Sequence, residues 1–335
     1  MKKVADAGQW TRRGPLDIPR SHPATAVYKD KIYTFGGGGV NFKSFNCTRM
    51  YDPASGMWEA RADMPCFRSG AVAAAVGDRI YVMGGGFKQP SGTFRFLTTV
   101  QIYYPDRDVW EEGPDLLMPH DYPAVAYTGG YIYVMGGHHP QATEGGPQTD
   151  PGFDFCERLD PAQGAQSRTG GQWEQIASLP TPRFALTAVV VDGRIMTMGG
   201  VAFSSAGFHN FDFVESYDPA THVWVREKNF HLPWTAAGLG ACILDGDIFI
   251  FGGYSGDGIH NRAAYYDAQG WTSAAGGRMP EAADASQGVW RQISPMPGAL
   301  AAMGVAVVGK SAYLISGWPD NGRVPTDAFY SYTRD

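Results

Sequence analysis

Arg79-Ile80-Tyr81-Val82-Met83-Gly84-Gly85-Gly86 is the stretch that decides the fold, because the chain repeats its pattern. In each copy, a short apolar run rich in aromatic and branched residues stops at paired glycines. This pattern is typical of a buried strand that ends where the backbone needs dihedral angles that glycine adopts readily. The other copies are Lys31–Gly37, Tyr131–Gly137, Arg194–Gly200, Asp247–Gly253 and Ser311–Gly317.

Each copy is one part of a longer repeating unit. A second apolar run precedes it across a Gly or Asp turn, as in Ala71–Val76 followed by Gly77-Asp78, and this pattern predicts a β-hairpin. A variable loop, a third run ending in an aromatic residue and Asp-Pro or a variant, and then a Trp follow it. Each repeat therefore predicts four antiparallel strands, which we name a to d in chain order. The tryptophans, expected in the core between sheets, are Trp58, Trp110, Trp173, Trp224 and Trp290.

The spacing of these units indicates the architecture. A four-stranded unit recurring about every 50 residues is typical of a β-propeller blade. With its paired glycines, its aromatic residue before Asp-Pro and its Trp on the last strand, the chain resembles the kelch family over essentially its whole length. The resemblance implies an all-β fold, a six-bladed kelch β-propeller in which residues 1–335 form a single domain. Ser316-Gly317 departs from the glycine pair, and long gaps predict insertions at 162–172 and 268–289.

The two ends of the chain indicate how the ring closes. The sixth repeat runs out after three strands, at Phe329-Tyr330-Ser331-Tyr332. The segment that begins with Trp10 resembles the last strand of a repeat, so residues about 8–16 are expected to complete blade 6. Closure of this kind removes the open edges of the sheets.

The amino-acid composition of the chain argues against some classes of binding partner. The net charge is -6 and Lys and Arg do not cluster, which argues against nucleic acid or an anionic membrane surface as a partner. No apolar leader or transmembrane-length segment is present in the sequence, so a cytoplasmic protein is expected. The cysteines lack Cys-x-x-Cys spacing and are expected to be free thiols: Cys47, Cys66, Cys156 and Cys242.

The alternation of strand direction places the b–c loops and the d–a loops on one face. The b–c loops are long and varied, and variable loops on a rigid scaffold commonly carry function. Thirteen residues before the central aromatic or Met residue of strand b stand Arg20, Arg68, His120 and Arg183 in the first four repeats. These side chains are expected either to line the mouth of the central channel or to fix the d–a loop by bonding carbonyl groups.

Further candidates lie at the starts of the a strands and just past the glycine pairs. Together they predict an aromatic-walled pocket with a few titratable groups, the composition expected of a small-ligand site. These candidates are His22, Phe87, Asp121, Tyr122, His138, His139, Phe184, Trp234, Tyr254 and Trp318.

Two functions remain open from the sequence. Metal-ligand spacing, a nucleophile motif and a phosphate-binding loop are all missing from it, so no metal and no cofactor are expected. The first hypothesis is a recognition module for a small molecule or an acidic peptide. The alternative is a small-molecule isomerase, lyase or cyclase that uses acid–base catalysis, with His120, Tyr122 or His138 as the proton carrier.

Overall fold

The computed structural model describes residues 8–143, 149–162, 171–266 and 290–334. Six four-stranded antiparallel sheets form the blades of a propeller, which confirms the predicted fold. The six a strands contact one another in order around the axis, and strand a of blade 6 contacts strand a of blade 1. The predicted insertion 268–289 lies outside the described residues, and so does most of 162–172.

The first three blades follow the repeats directly, and every neighbouring pair of strands is antiparallel. Blade 1 consists of Ala24–Tyr28, Lys31–Phe35, Thr48–Asp52 and Met57–Arg61. Blade 2 consists of Val72–Val76, Arg79–Met83, Val100–Tyr104 and Val109–Glu112. Blade 3 consists of Ala124–Thr128, Tyr131–Met135, Cys156–Leu159 and Trp173–Gln175.

The second half of the ring repeats this arrangement. Blade 4 consists of Thr187–Val191, Arg194–Met198, Phe213–Asp218 and Val223–His231. Blade 5 consists of Gly240–Leu244, Asp247–Phe251, Ala263–Tyr266 and Trp290–Gln292. Blade 6 takes strands a to c from the C-terminal region and strand d from the N-terminal region: Gly304–Val308, Ser311–Gly317, Thr326–Arg334 and Gly8–Arg12.

The N-terminal strand closes the ring as the sequence predicts. Gly8–Arg12 pairs antiparallel with Thr326–Arg334, and Trp10 lies opposite Tyr332. The amide of Leu16 extends the contact by donating to the carbonyl oxygen of Asp327 at 3.2 Å. The first and last parts of the chain therefore share one sheet.

The b–c loops carry small elements of their own. Two 3-10 turns lie in blades 1 and 3, at Val40–Phe42 and Pro140–Thr143. Three two-stranded hairpins rise from blades 2, 4 and 5 on the same face of the propeller. The hairpin strands are Gly86–Lys88 with Phe94–Phe96, Val201–Ser204 with Gly207–Asn210, and Tyr254–Ser255 with Gly258–Ile259.

Apolar side chains fill the wedges between neighbouring blades. Six buried clusters each join two adjacent blades, and one of them joins blade 6 to blade 1. In that last cluster, Trp58 packs with Tyr51 and Phe329 at ring-centroid distances of 5.0 and 5.2 Å. Burial of this apolar surface is what holds the sheets together, since backbone hydrogen bonds within a blade do not link it to the next.

The paired glycines add a backbone connection between blades. In each repeat the second glycine donates its N–H to a carbonyl group of the next d–a loop, at 2.7 to 3.0 Å, and its φ lies between 81° and 117°. The first position has φ between 56° and 70°, which a residue with a side chain can adopt at some cost. Blade 6 has Ser316 at that first position, and its hydroxyl group accepts from the Arg20 N–H at 2.9 Å.

Gly253→Ala tests how closely the second glycine approaches the d–a loop that leads into its own blade, and the control is Gly193→Ala, since both glycines have positive φ, 88° and 78°. A Cβ on Gly253 would lie 2.8 Å from the Ala236 Cβ and 3.0 Å from the Ala237 carbonyl oxygen, whereas Gly193 faces open space. We expect Gly253→Ala to lower the free energy of unfolding by roughly 1–3 kcal/mol more than Gly193→Ala, the usual cost of overpacking. Equal losses in urea denaturation would contradict the close approach of Gly253 to this d–a loop.

Candidate functional site

The candidate site is built from a three-residue segment that ends each d–a loop. Residues at the first position are buried within the blade wall, and their carbonyl oxygens accept the N–H of the second glycine described above. Residues at the second position lie beside the residue that follows the glycine pair. Residues at the third position surround the central axis, one from each blade: His22, Gly70, Tyr122, Ala185, Gly238 and Ala302.

The third-position residues form a closed ring of backbone hydrogen bonds. Each donates its N–H to the carbonyl oxygen of the equivalent residue in the preceding blade, at 2.7 to 3.3 Å, and the His22 N–H donates to Ala302. All six have φ between 50° and 68°. Residues with side chains pay for this left-handed conformation, so it persists only where the surroundings hold it. The ring supplies that constraint and fixes the floor of the site.

A cavity of about 490 Å³ lies above this ring, on the face that carries the b–c loops. Its volume falls in the range of pockets that hold drug-sized ligands, roughly 300–1,000 Å³. Aromatic side chains dominate its wall, with Phe42, Phe94, Phe203 and Phe208 toward the b–c loops. A smaller cavity of about 150 Å³ continues below the ring along the axis of the propeller.

The rings at the floor contact one another in a chain. His22 lies 4.1 Å from Tyr122 and 4.6 Å from Trp318 between ring centroids. Tyr122 then contacts His138 at 5.2 Å, and His138 stacks on Phe184 at 3.9 Å. These contacts turn separate loops into one continuous aromatic surface.

Asp121 is the carboxyl group at the floor of the cavity. It lines the cavity although only 4% of its surface is exposed. Within the described part of the chain, no group hydrogen-bonds its carboxyl oxygens. Burial, with a smaller contribution from the charge of Asp150, raises the pKa of Asp121 well above its ordinary value. The site therefore favours the neutral form of this carboxyl group, which lies in contact with the cavity.

His138 and Asp150 form a hydrogen-bonded pair at the side of the cavity. The Asp150 Oδ2 bonds the His138 Nδ1, and the Asp150 Oδ1 accepts from the amides of His139 at 3.1 Å and Gly152 at 2.9 Å. Burial alone would raise the pKa of Asp150, but these hydrogen bonds outweigh it and leave the pKa below its ordinary value. With an ionised Asp150, the proton sits on Nδ1 and the His138 Nε2 is available to a ligand.

The other titratable groups of the floor stay neutral. Burial, together with the charges of His138 and Arg323, lowers the pKa of His22 to about 3. Burial raises the pKa of Tyr254 to about 12 and also raises the pKa of Tyr122. Within the described ranges, no group of three or more His, Cys, Asp or Glu residues is placed to hold a metal ion.

Half of the residues singled out from the sequence line this cavity. They come from the starts of strands a and from the positions after the glycine pairs. The structure brings together His22, Asp121, Tyr122, His138, Phe184, Tyr254 and Trp318.

The three arginines do not line the cavity, because their side chains turn into the blades. Each is fully buried, and its guanidinium group bonds acceptors of its own blade. Arg20 donates to Thr34, Arg68 donates to the carbonyl oxygen of Gly84 at 2.9 Å, and Arg183 pairs with Glu215 at 2.5 Å. Burial lowers the pKa of all three guanidinium groups. These contacts stabilise the blades, so the three arginines have a structural role.

The remaining four candidates also point elsewhere. The His139 ring contacts Phe153, with 5.8 Å between ring centroids, and does not line the cavity. His120 is fully buried and bonds Glu157 at 3.1 Å. Trp234 is buried between blades 4 and 5 and donates to the carbonyl oxygen of Gly252 at 3.0 Å. Phe87 pairs with Arg95 in its hairpin, one residue out of phase with Phe96, so it faces the opposite side from the cavity wall.

Sequence reasoning missed most of the upper wall. Phe94 and Phe96 alternate along a hairpin strand, and Phe203 and Phe208 face each other across the blade 4 hairpin, with ring centroids 4.8 Å apart. Large aromatic residues at alternate positions in segments that otherwise look like surface loops were the available signal. Asp150 and Arg323 carried no such signal, since polar residues are ordinary in loops.

The geometry defines a six-bladed propeller with a ligand-sized aromatic cavity on its loop face. Residues 5–200 match the family model described as the KLHDC2/KLHL20/DRC7 Kelch-repeats domain. This match covers more than half of the chain, and the chain belongs to the kelch-repeat family.

Relatives and solved structures agree with this placement. Beta-scruin of Limulus polyphemus is 29% identical over 73% of this chain and 26% of its own length. Kelch-like protein 36 of Bos taurus is 25% identical over 90% of this chain and 44% of its own length. The chain thus spans less than half of these curated relatives. The solved structure titled "Structure of YjhT" shares the fold, with a TM-score of 0.67 at 17% identity over 94% of this chain and 96% of that one. Among the described residues, no helix has the length and hydropathy that crossing a membrane requires.

Arg183→Ala is expected to destabilise the protein by about 3 kcal/mol, because it leaves the buried Glu215 carboxylate without its closest partner. The loss lies at the lower end for a buried pair, since Arg226 still contacts Glu215 at 2.9 Å. The control is Arg323→Ala, an exposed arginine at the rim, expected to change the free energy of unfolding by less than about 0.5 kcal/mol. Unchanged stability of Arg183→Ala in urea denaturation would contradict the structural role of Arg183.

Asp121→Asn is expected to change the pH dependence of stability. Because folding raises the pKa of Asp121, the stability that this group contributes is complete below the unfolded pKa of about 4 and is lost as pH rises through the folded pKa. Relative to wild type, the variant should gain about 1.4 kcal/mol per pH unit across that window. Urea denaturation between pH 4 and 8 measures the difference. A difference that does not vary with pH would show that the carboxyl group is already ionised.

Proposed function

We propose that this kelch propeller binds a small molecule in the aromatic cavity above the ring. One observation carries the proposal. The cavity combines apolar walls with a few polar groups that converge at its floor, namely Asp121, His138 and the Asp150 behind it. Apolar walls supply affinity through burial, and convergent polar groups select orientation, which is the usual division in small-ligand sites.

The burial of the arginines supports a small molecule over an acidic peptide. The prediction of an acidic partner depended on Arg20, Arg68 and Arg183 lining the mouth, and all three bond their own blades. Arg323 is the one Lys or Arg side chain among the described residues that line the cavity. A single exposed guanidinium group gives an extended acidic segment little to pair with.

A second candidate is an enzyme that moves protons on the bound ligand. The observation that favours it is the opposite direction of two pKa shifts in one cavity, upward for Asp121 and downward for Asp150. Pairs of titratable groups separated in this way commonly divide the roles of acid and base. Neutral Asp121 would then donate a proton, and the His138 Nε2, held by Asp150, would accept one.

The enzyme alternative has its own test. Incubating a bound ligand with the protein in D₂O, followed by NMR of the ligand, detects proton transfer at carbon. Exchange in wild type that His138→Asn abolishes, with ligand affinity retained, would favour the enzyme. Binding without exchange or conversion of the ligand would leave the protein as a binding module.

A thermal-shift screen tests the proposed function, because a ligand that binds the native state raises the melting temperature. The screen compares aromatic metabolites, amines, sugars and sugar acids with acidic peptides. We expect hits among small molecules with an aromatic or alicyclic body. A shift by acidic peptides alone would contradict the proposal.

Trp318→Ala is expected to weaken binding of such a hit roughly tenfold, since a lost aromatic contact is worth about 1–2 kcal/mol. Trp318 is half-buried in the cavity wall, so the variant should keep the fold. The matched control is Tyr127→Ala, which removes an aromatic side chain that is 44% exposed and does not line the cavity. Isothermal titration calorimetry measures both affinities. Equal affinity of the two variants would place the ligand elsewhere.

A further inference from the structure

The carboxyl group of Asp121 sits in a slot shaped by two glycines of blade 2. A Cβ on Gly70 would lie 2.5 Å from the Asp121 Oδ1, and a Cβ on Gly86 would lie 3.5 Å from its Cγ. With 4% of its surface exposed and no hydrogen-bond partner among the described residues, the carboxyl group is desolvated without compensation from the protein. Such burial costs free energy unless a partner arrives, so the unsatisfied group points to a ligand.

The walls around this carboxyl group favour positive charge. Tyr122, Phe184, Tyr254 and Trp318 all line the same cavity. The face of an aromatic ring carries negative electrostatic potential and attracts ammonium and guanidinium groups. A cation entering the cavity would therefore be attracted both by the rings and by the carboxyl group at the floor.

The molecule already shows that this wall accepts a cation. The guanidinium carbon of Arg323 lies 5.9 Å from the centroid of the Trp318 ring and 6.0 Å from that of Phe42. Arg323 is exposed at the rim, and no ion pair joins it to Asp121. The lining of the cavity otherwise contains the three aspartates Asp121, Asp150 and Asp320, so its acidic groups outnumber its one guanidinium group.

We propose that Asp121 is the counter-ion for an organic amine whose apolar body packs against the aromatic wall. This inference rests on the proposed function of the cavity and names the chemical class of its ligand. The protonated amine donates hydrogen bonds to the carboxylate, and the proton that Asp121 carries in the free protein passes to solvent. One proton is therefore released for each amine bound at a pH where free Asp121 is neutral.

Three indole probes with the same ring and different heads test the inference: tryptamine is a cation, tryptophol is neutral and indole-3-acetate is an anion near pH 6. We expect calorimetry to give at least tenfold tighter binding for tryptamine than for tryptophol, with indole-3-acetate the weakest. Asp121→Asn should weaken tryptamine at least tenfold and change tryptophol by less than threefold. This double comparison separates loss of the counter-ion from loss of the cavity.

The number of protons released on binding is a second measurement. It would not change if Asp121 had only a structural role. Titrating tryptamine in buffers with different ionisation enthalpies counts the protons released. Other titratable and charged groups line the same cavity, so only release present in wild type and absent in Asp121→Asn is assigned to Asp121. These groups are His22, Tyr122, His138, Asp150, Tyr254, Asp320 and Arg323.

Each outcome decides between the inference and the proposed function. Equal binding of tryptophol and tryptamine, or tryptamine binding that Asp121→Asn leaves unchanged, overturns the amine inference and leaves the small-molecule cavity in place. Tightest binding of indole-3-acetate likewise overturns it and points to Arg323 as the ligand's partner. Failure of all three probes to bind at millimolar concentration overturns the amine inference, and the thermal-shift screen then decides the proposed function separately.

Discussion

The closed ring of six backbone hydrogen bonds around the axis is the constraint on which the rest of the site depends. Each bond runs from one blade to the next, so the ring sets the angle between blades where the sheets come closest. It also holds residues such as His22 and Tyr122 in the left-handed conformation. A second set of hydrogen bonds, from the paired glycines to carbonyl groups of the d–a loops, lies farther from the axis. Together they make the floor rigid before any ligand arrives, which reduces the entropy that binding must offset.

Because backbone atoms form this frame, the side chains on it are free to differ between blades. Blades 1 and 3 place large rings on the axis, His22 and Tyr122, whereas the other four contribute only Gly or Ala. The ionisable groups of the floor are concentrated in blade 3, where Asp121, His138 and Asp150 lie within one sheet and its loops. A regular scaffold thereby carries an asymmetric site, with polarity at one side and apolar surface at the other.

The sequence predicted the fold far better than the site. Paired glycines, turn residues and tryptophans recur in a fixed order, and each has a backbone or packing cause that holds in every blade. The register that aligned Arg20, Arg68 and Arg183 was also right, but a register gives position along the chain and not the direction of a side chain. Two residues further on, the left-handed turn closes the ring, and the arginines at its start point into the blades. The wall aromatics were hidden for a different reason, since Phe94 and Phe203 lie in hairpins whose existence depends on neighbouring blades.

Asp121 is a carboxyl group that the fold desolvates and leaves for a ligand to satisfy. The most direct measurement is the pKa of this group by NMR of protein labelled with ¹³C at the aspartate carboxyl carbons, with Asp121→Asn to assign the signal. We expect the Asp121 resonance to titrate well above the ordinary value of about 3.9, and an amine ligand to move this titration to lower pH. Titration of Asp121 near the ordinary value in the free protein would contradict this expectation, because the group would then be solvated or paired.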